Sequence, residues 1–265
     1  MESQTPNPIL CGDSPLLISI PHSGTRLTSE LLLSLNAIGL SMPDTDWFVD
    51  RLYAWAPQLG AGMITAAHSR YVIDLNRPPD DSALYVGAGT GLVPTCTFSG
   101  EPIYHDDKLP DESEKKLRLQ QFWQPYHESV AAELEKIRLR HGYAIMLDAH
   151  SIPGEVPRLF QGQLSQLNLG SNDRASASST LIDQAMQVLD SSRYTAVLDG
   201  RFKGGYITRK YGRPALNTHV LQLEISQRSY MQEFPPVYQE PLAHELQSVL
   251  KELVDALICW KPDGS

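Results

Sequence analysis

Short apolar runs alternate along this chain with longer stretches whose apolar residues recur at helical spacing. Leu16 to Ile20, Gly62 to Ala67, Tyr143 to Leu147 and Ala196 to Leu198 read as strands, and His219 to Ile225 alternates apolar with polar positions as a strand does. Tyr71 to Leu75 reads as a further extended segment, closed by Pro78-Pro79. Helical spacing covers Leu27 to Leu40, Trp47 to Pro57, Glu112 to Arg140, Leu181 to Leu189 and Pro241 to Leu257, with a break or kink expected at Pro125. Residues 79–110 and 152–179 are rich in Gly, Pro, Asp, Asn or Ser and read as long loops. This order predicts an α/β fold in a single domain, with a core over about residues 14–258. A central mixed, mostly parallel sheet is flanked by helices, and ligands are expected beyond the carboxyl ends of its strands.

Composition narrows the function. With 22 basic and 31 acidic residues the net charge is −9, which argues against nucleic acid as a partner while leaving room for a local cationic pocket. The three cysteines, Cys11, Cys96 and Cys259, form no CxxC pair, so neither a thiolate metal site nor a disulfide framework is expected. Met1 to Pro8 lacks a basic and an apolar signal region, and no apolar run approaches the roughly 20 residues of a membrane span. A soluble cytoplasmic protein is expected.

The candidate chemistry sits just after the strands. His22 follows the first strand and His150 follows the fourth, so one edge of a sheet can bring both imidazoles together. With one carboxylate they make the His₂-carboxylate set of hydrolytic zinc sites. Each histidine alone reads as a loop residue; the pair carries the signal. Asp46 in Asp44-Thr45-Asp46 is the candidate carboxylate and Asp44 the candidate helix cap, although the two roles can be exchanged. Asp148 is placed to orient an imidazole, or to bond nearby backbone. Arg70 to Arg77 reads RYVIDLNR, in which Asn76 and Arg77 are held before a rigid Pro-Pro and Asp74 can pair with an arginine. An arginine there offers a planar fork for a carboxylate. Glu224 shares a strand face with Gln222 and is either an exposed edge residue or a general base. In Phe202 to Arg209 the paired glycines permit close backbone approach, and Tyr206, Thr208 and Arg209 are candidate substrate contacts.

Taken together, PHSG (Pro21 to Gly24), DTDWFVDRLY (from Asp44), SRYVIDLNRP (from Ser69), LDAHS (from Leu147), FKGGYITRKYG (from Phe202) and LQLEIS (from Leu221) resemble the N-formylglutamate amidohydrolases. The motifs run in order from about residue 16 to residue 231, and their joint occurrence is specific. The resemblance implies a fold related to zinc carboxypeptidases, in the phosphorylase-hydrolase-like class, and to aspartoacylases. It implies that His22, an acid near Asp46, and His150 hold one zinc ion. It further implies that Glu224 is the general base, that Arg70 polarises the scissile carbonyl, and that Asn76 with Arg77 binds the α-carboxylate of a small anionic N-acyl amino acid. Two departures stand out. Thr25 sits where the carboxypeptidase HxxE pair would have its Glu, and Ser226-Gln227-Arg228 follows the last motif where Asn-Arg is common. The expected reaction is conversion of N-formyl-L-glutamate and water to formate and L-glutamate, with Arg209 a candidate partner for the side-chain carboxylate. The alternatives are a zinc amidase or peptidase acting on another N-acyl amino acid or peptide, and a non-catalytic small-molecule binding protein on the same fold.

Overall fold

Seven strands form one sheet in the computed structural model, which describes residues 9–83 and 89–262. Met1 to Pro8 and residues 84–88 of the long excursion lie outside the described residues. The strands are β1 (Ile9–Leu10), β2 (Leu16–Ile20), β3 (Gly62–Thr65), β4 (Ala144–Ile152), β5 (Leu167–Gly170), β6 (Ala196–Leu198) and β7 (Thr218–Ser226), in the spatial order β1-β3-β2-β4-β7-β5-β6. β3, β2, β4 and β7 run parallel, while β1 pairs antiparallel with β3, and β5 antiparallel with β7. The mixed, mostly parallel sheet is therefore as expected. A small hairpin, β8 (Met231–Gln232) with β9 (Val237–Tyr238), stands apart.

Strand alternation divides the core into two clusters, one on each face of the sheet. Leu16, Ile18 and Ile20 of β2, Ile145, Leu147 and Ala149 of β4, and Leu221, Leu223 and Ile225 of β7 pack on one face. They meet α3 (Val49–Leu52), α6 (Ser179–Asp190) and α8 (Glu240–Cys259). Leu17, Ala144, Met146 and Val220 lie on the other face. They meet α1 (Ser29–Ser34) and α5 (Gln124–His141). Alternation then assigns Ser19, Asp148, His150, Gln222 and Glu224 to this second face. Toward the carboxyl ends of the strands the second face thus turns from apolar to polar, and the site stands there.

Several predicted elements are shorter or differently shaped. Leu27 to Leu40 forms α1 and α2 (Ala37–Ser41) in place of one helix, because Leu35 is extended and Asn36 caps α2 by accepting the Gly39 N–H at 3.0 Å. Trp47 to Pro57 contributes only the single turn of α3 and the start of a 3₁₀ turn at Ala56–Leu59; Phe48 precedes α3 in the left-handed region (φ 62°). Tyr71 to Leu75 is a buried run of turns, not a strand. The Ser69 hydroxyl accepts the Tyr71 N–H, and the Asp74 carboxylate accepts the Asn76 N–H, so side chains replace the ladder bonds. α4 (Glu112–Arg118) and α5 are joined by a π turn at Leu119–Trp123, just ahead of Pro125. The loop expected over residues 152–179 contains β5, and the stretch Gly200 to Gly212, which holds the paired glycines, contains α7 (Tyr206–Tyr211).

Candidate active site

β4 continues past Leu147, so Asp148 and His150 are strand residues and not loop residues. Its parallel register on β7 sets Asp148 beside Gln222 and His150 beside Glu224. Four polar side chains therefore form a block on one face of two adjacent strands. The turn after β2 brings His22 to the same place, and a backbone bond from Asp46 N–H to the His22 carbonyl (3.1 Å) stitches the Asp44-Thr45-Asp46 segment alongside.

One donor atom from each of His22, Asp46 and His150 lies within 4.8 Å of the others, and all three side chains are buried. The tautomer of His22 is fixed by its neighbours. Arg70 Nη2 contacts His22 Nδ1; since a guanidinium can only donate, Nδ1 must be the acceptor. His22 Nε2–H then donates to Asp74 Oδ1 at 2.8 Å. His150 is oriented in the same way but faces a carboxylate at each nitrogen, Nε2 at 3.0 Å from Asp148 Oδ2 and Nδ1 at 3.0 Å from Asp46 Oδ2, so both nitrogens donate and the ring carries a proton on each. Both imidazoles thus turn Nδ1 toward Asp46 and are backed through Nε2 by a carboxylate, the support that metal-ligating histidines receive. Asp46 Oδ2 is also held by the Ser151 N–H at 3.1 Å, and Oδ1 by Arg70 Nη2 at 3.1 Å. This donor set fits a divalent cation.

Asp44 stands apart from it. Its carboxylate accepts the Tyr71 hydroxyl and the Phe98 N–H, both at 2.9 Å, and it caps no helix. The two acids do differ in role, then, but Asp44 ties the Tyr71 turn to the Phe98 loop.

Electrostatics agrees with the geometry. Burial and then Arg70 lower the His22 pKa, which keeps the imidazole neutral. Burial pushes Asp46 up, yet Arg70 and the two imidazoles more than offset it and the net shift is downward. Asp74 is likewise raised by burial but held far below the carboxylate range by His22, Arg70 and Arg77. Burial lowers His150 while Asp148 and Asp46 raise it, and the carboxylates win. Burial pushes Glu224 up to about 8; His150 and Arg70 pull it down without offsetting that burial.

A cleft opens over this block. His22, Arg70, Asp74, Asn76, Arg77, His150 and Glu224 line it. Asn76 sits deep in the wall: its Oδ1 accepts the Ile207 N–H at 2.8 Å, which turns Nδ2 toward Asp148 and His150. Gln222 bridges the wall to the base candidate, accepting the Gly205 N–H (2.8 Å) and donating to Glu224 Oε2 (3.2 Å). Tyr206, Thr208 and Arg209 are not among the lining residues. They belong to α7, where Tyr206 packs on Trp123 and His127, Thr208 is fully buried, and Arg209 Nε donates to the Gly204 carbonyl. From the same stretch of chain Arg201, Phe202 and Gly205 line the cleft. Ser226-Gln227-Arg228 does not line it; Gln227 holds the Thr45 carbonyl at 2.9 Å.

Residues 14–231 match the model of the N-formylglutamate amidohydrolases. The chain belongs to this family. Two relatives, each named N-formylglutamate deformylase, align over 94% of this chain and 94% of their own length: one from Pseudomonas putida at 47% identity, one from Pseudomonas aeruginosa at 45%. A crystal structure of N-formylglutamate amidohydrolase from Ralstonia eutropha superposes with a TM-score of 0.81 at 26% identity, covering 96% of both chains. An Agrobacterium tumefaciens gene product shares the fold, with a TM-score of 0.73 at 18% identity. Within the N-formylglutamate amidohydrolase frame, three polar positions carry the support of the site: Ser19, Asp74 and Gln222. Ser19 Oγ bonds Asp148 at 2.8 Å, so each imidazole-backing carboxylate is itself held. Sequence reasoning places Gln222 on the Glu224 face but misses Ser19, for which the single polar position in the apolar run of β2 is the available signal; only the turn geometry shows what Asp74 holds.

Proposed function

We propose that this chain hydrolyses N-formyl-L-glutamate to formate and L-glutamate, with zinc held by His22, Asp46 and His150. The single observation that carries the proposal is the meeting of His22 and His150, clustered with the buried Asp46, with Glu224 in one cleft, in a chain 47% identical to a protein named N-formylglutamate deformylase. When bound, the metal supplies Lewis acidity at the formyl carbonyl and lowers the pKa of water.

The chain's own groups do the rest. Glu224 accepts the proton of the attacking water and returns it to the leaving amine nitrogen. A carboxylate raised by burial toward neutrality suits both transfers. Gln222 holds Glu224 by one oxygen, leaving the other for the proton. Arg70, buried among acids, places fixed positive charge where the tetrahedral oxyanion develops. Arg77 grips the α-carboxylate, and Asn76 acts beside it as the post on which the α7 turn rests.

The test is formate release from N-formyl-L-glutamate by the purified protein, with and without a chelator, followed by zinc add-back. Chelator-sensitive release that zinc restores supports the reaction and the metal together. Absence of release under all three conditions rejects the substrate.

A further inference from the structure

The substrate proposed above carries two carboxylates, and the cleft lining carries three arginines: Arg70, Arg77 and Arg201. Arg70 is committed to Asp46 and His22 at the floor. Arg77 follows the Asp74 turn and serves the α-carboxylate. Arg201 is the third arginine of the lining. We infer that Arg201 binds the side-chain carboxylate and sets the preference for glutamate, an inference that rests on the activity proposed above.

The position of Arg201 is built. β6 ends at Leu198; Asp199 then takes a left-handed conformation (φ 49°) and is pinned from both sides. Its N–H donates to the Leu169 carbonyl at 2.8 Å, and its carboxylate accepts the Ser171 N–H at 2.7 Å. The turn therefore delivers Arg201 to the cleft rim at a fixed place. There Nε donates to the Leu159 carbonyl at 2.7 Å, which orients the guanidinium plane against the wall. The wall itself is apolar: Phe98 and Ile152, with Leu159 and Phe202 packed against them, belong to a third small core cluster, and all four line the cleft. An apolar wall ending in an oriented cation matches a side chain of two methylenes ending in a carboxylate. Arg209, the other arginine of the region, sits on α7 outside the lining.

The test compares kcat/KM for N-formyl-L-glutamate and for N-formyl-L-glutamine, which has the same shape without the charge. The unsubstituted enzyme is expected to favour the glutamate compound by about 10- to 100-fold, the worth of one charge-assisted bond. Arg201→Ala should bring that ratio close to 1, chiefly by raising KM for the glutamate compound. Arg201→Lys keeps charge but loses the fork and should retain part of the ratio, and melting curves of both variants check that they fold. Variants that discriminate as well as the unsubstituted enzyme overturn this inference and leave the proposed activity standing. Loss of discrimination in Arg209→Ala instead moves the contact to α7 and overturns it too. An unsubstituted enzyme that hydrolyses neither compound removes the activity and the inference together.

Discussion

Asp74 faces His22 through Nε2 at 2.8 Å and also accepts the backbone N–H of Asn76, so one carboxylate fixes both an imidazole and the turn that carries the cleft arginine. Carboxylates behind metal-bound histidines set tautomer and basicity, and losing one costs about 10- to 100-fold in metal affinity. Asp74→Ala is therefore expected to weaken zinc binding by that factor, read by competition with a coloured chelator. Asp74→Asn keeps an acceptor for the Nε2–H and should lose less. Equal zinc affinity in all three proteins would sink the assignment of His22 Nδ1 as a ligand atom.

Gly205 packs directly on Asn76. A Cβ at Gly205 would lie 2.4–2.6 Å from the Asn76 amide atoms, closer than any side chain can sit, so Gly205→Ala must move either α7 or Asn76. Because Asn76 Nδ2 faces Asp148 and His150, that displacement reaches the candidate metal cluster. Misplacement of about 1 Å can cost roughly 100-fold in turnover, and a loss of that order in kcat/KM is expected. Gly89→Ala is the contrast. A Cβ there meets nothing within 4 Å, and its kinetics should match those of the unsubstituted enzyme.

The parts of the site that the chain announces most clearly are those on strands. Leu16–Ile20 and Tyr143–Leu147 are apolar runs and His219–Ile225 alternates apolar with polar residues, so β2, β4 and β7 were legible, and with them the convergence of His22, His150 and Glu224. The elements that escaped are held by contacts distant in sequence. β5 is only four residues long, follows a loop-like composition, and exists because it pairs antiparallel with β7. Tyr71 to Leu75 has strand-like residues, but Ser69 and Asp74 side chains satisfy its backbone and the segment curls into turns. Arg201 and Arg209 differ by eight positions and by nothing in residue type; only the pinned turn at Asp199 and the start of α7 separate a lining arginine from one outside.

His127 gives the fold an acid-sensitive point away from the metal ligands. It is buried in α5, and its Nε2–H donates to the Leu75 carbonyl at 2.9 Å. Burial lowers its pKa from 6.5 to about 3. The folded-state value lies below the unfolded one, so the unfolded chain binds the proton first as the pH falls. The contribution of His127 is thus fully present above about pH 6.5 and is lost progressively down to about pH 3, a change on the order of a few kcal/mol. Urea midpoints measured from pH 7.5 to 4 should fall along this limb, and His127→Gln should start from a lower plateau and show a shallower decline. A decline of the same slope in both proteins would assign the acid sensitivity to other groups.

Glu224 separates chemistry from binding most sharply. It is buried beside His150 in the parallel register and bonded by Gln222, but it is not one of the three clustered metal donors. Glu224→Gln keeps the shape and can still bond Gln222, while it removes the carboxylate proposed to take the water proton. General acid–base groups contribute about 10²- to 10⁴-fold, so kcat should fall by that much. Zinc content by metal analysis should stay at one ion per chain, and KM should move little, since the arginines proposed to hold the substrate carboxylates line the cleft at other positions. The variant also loses a carboxyl that burial raises to about 8, so the rise of kcat with pH should disappear along with most of its magnitude. The sign follows from the role: a base works when deprotonated, so activity climbs as pH passes its pKa. A Glu224→Gln enzyme with substantial turnover and an unchanged pH limb would remove Glu224 as the base; one that no longer holds zinc would instead make Glu224 part of the metal site.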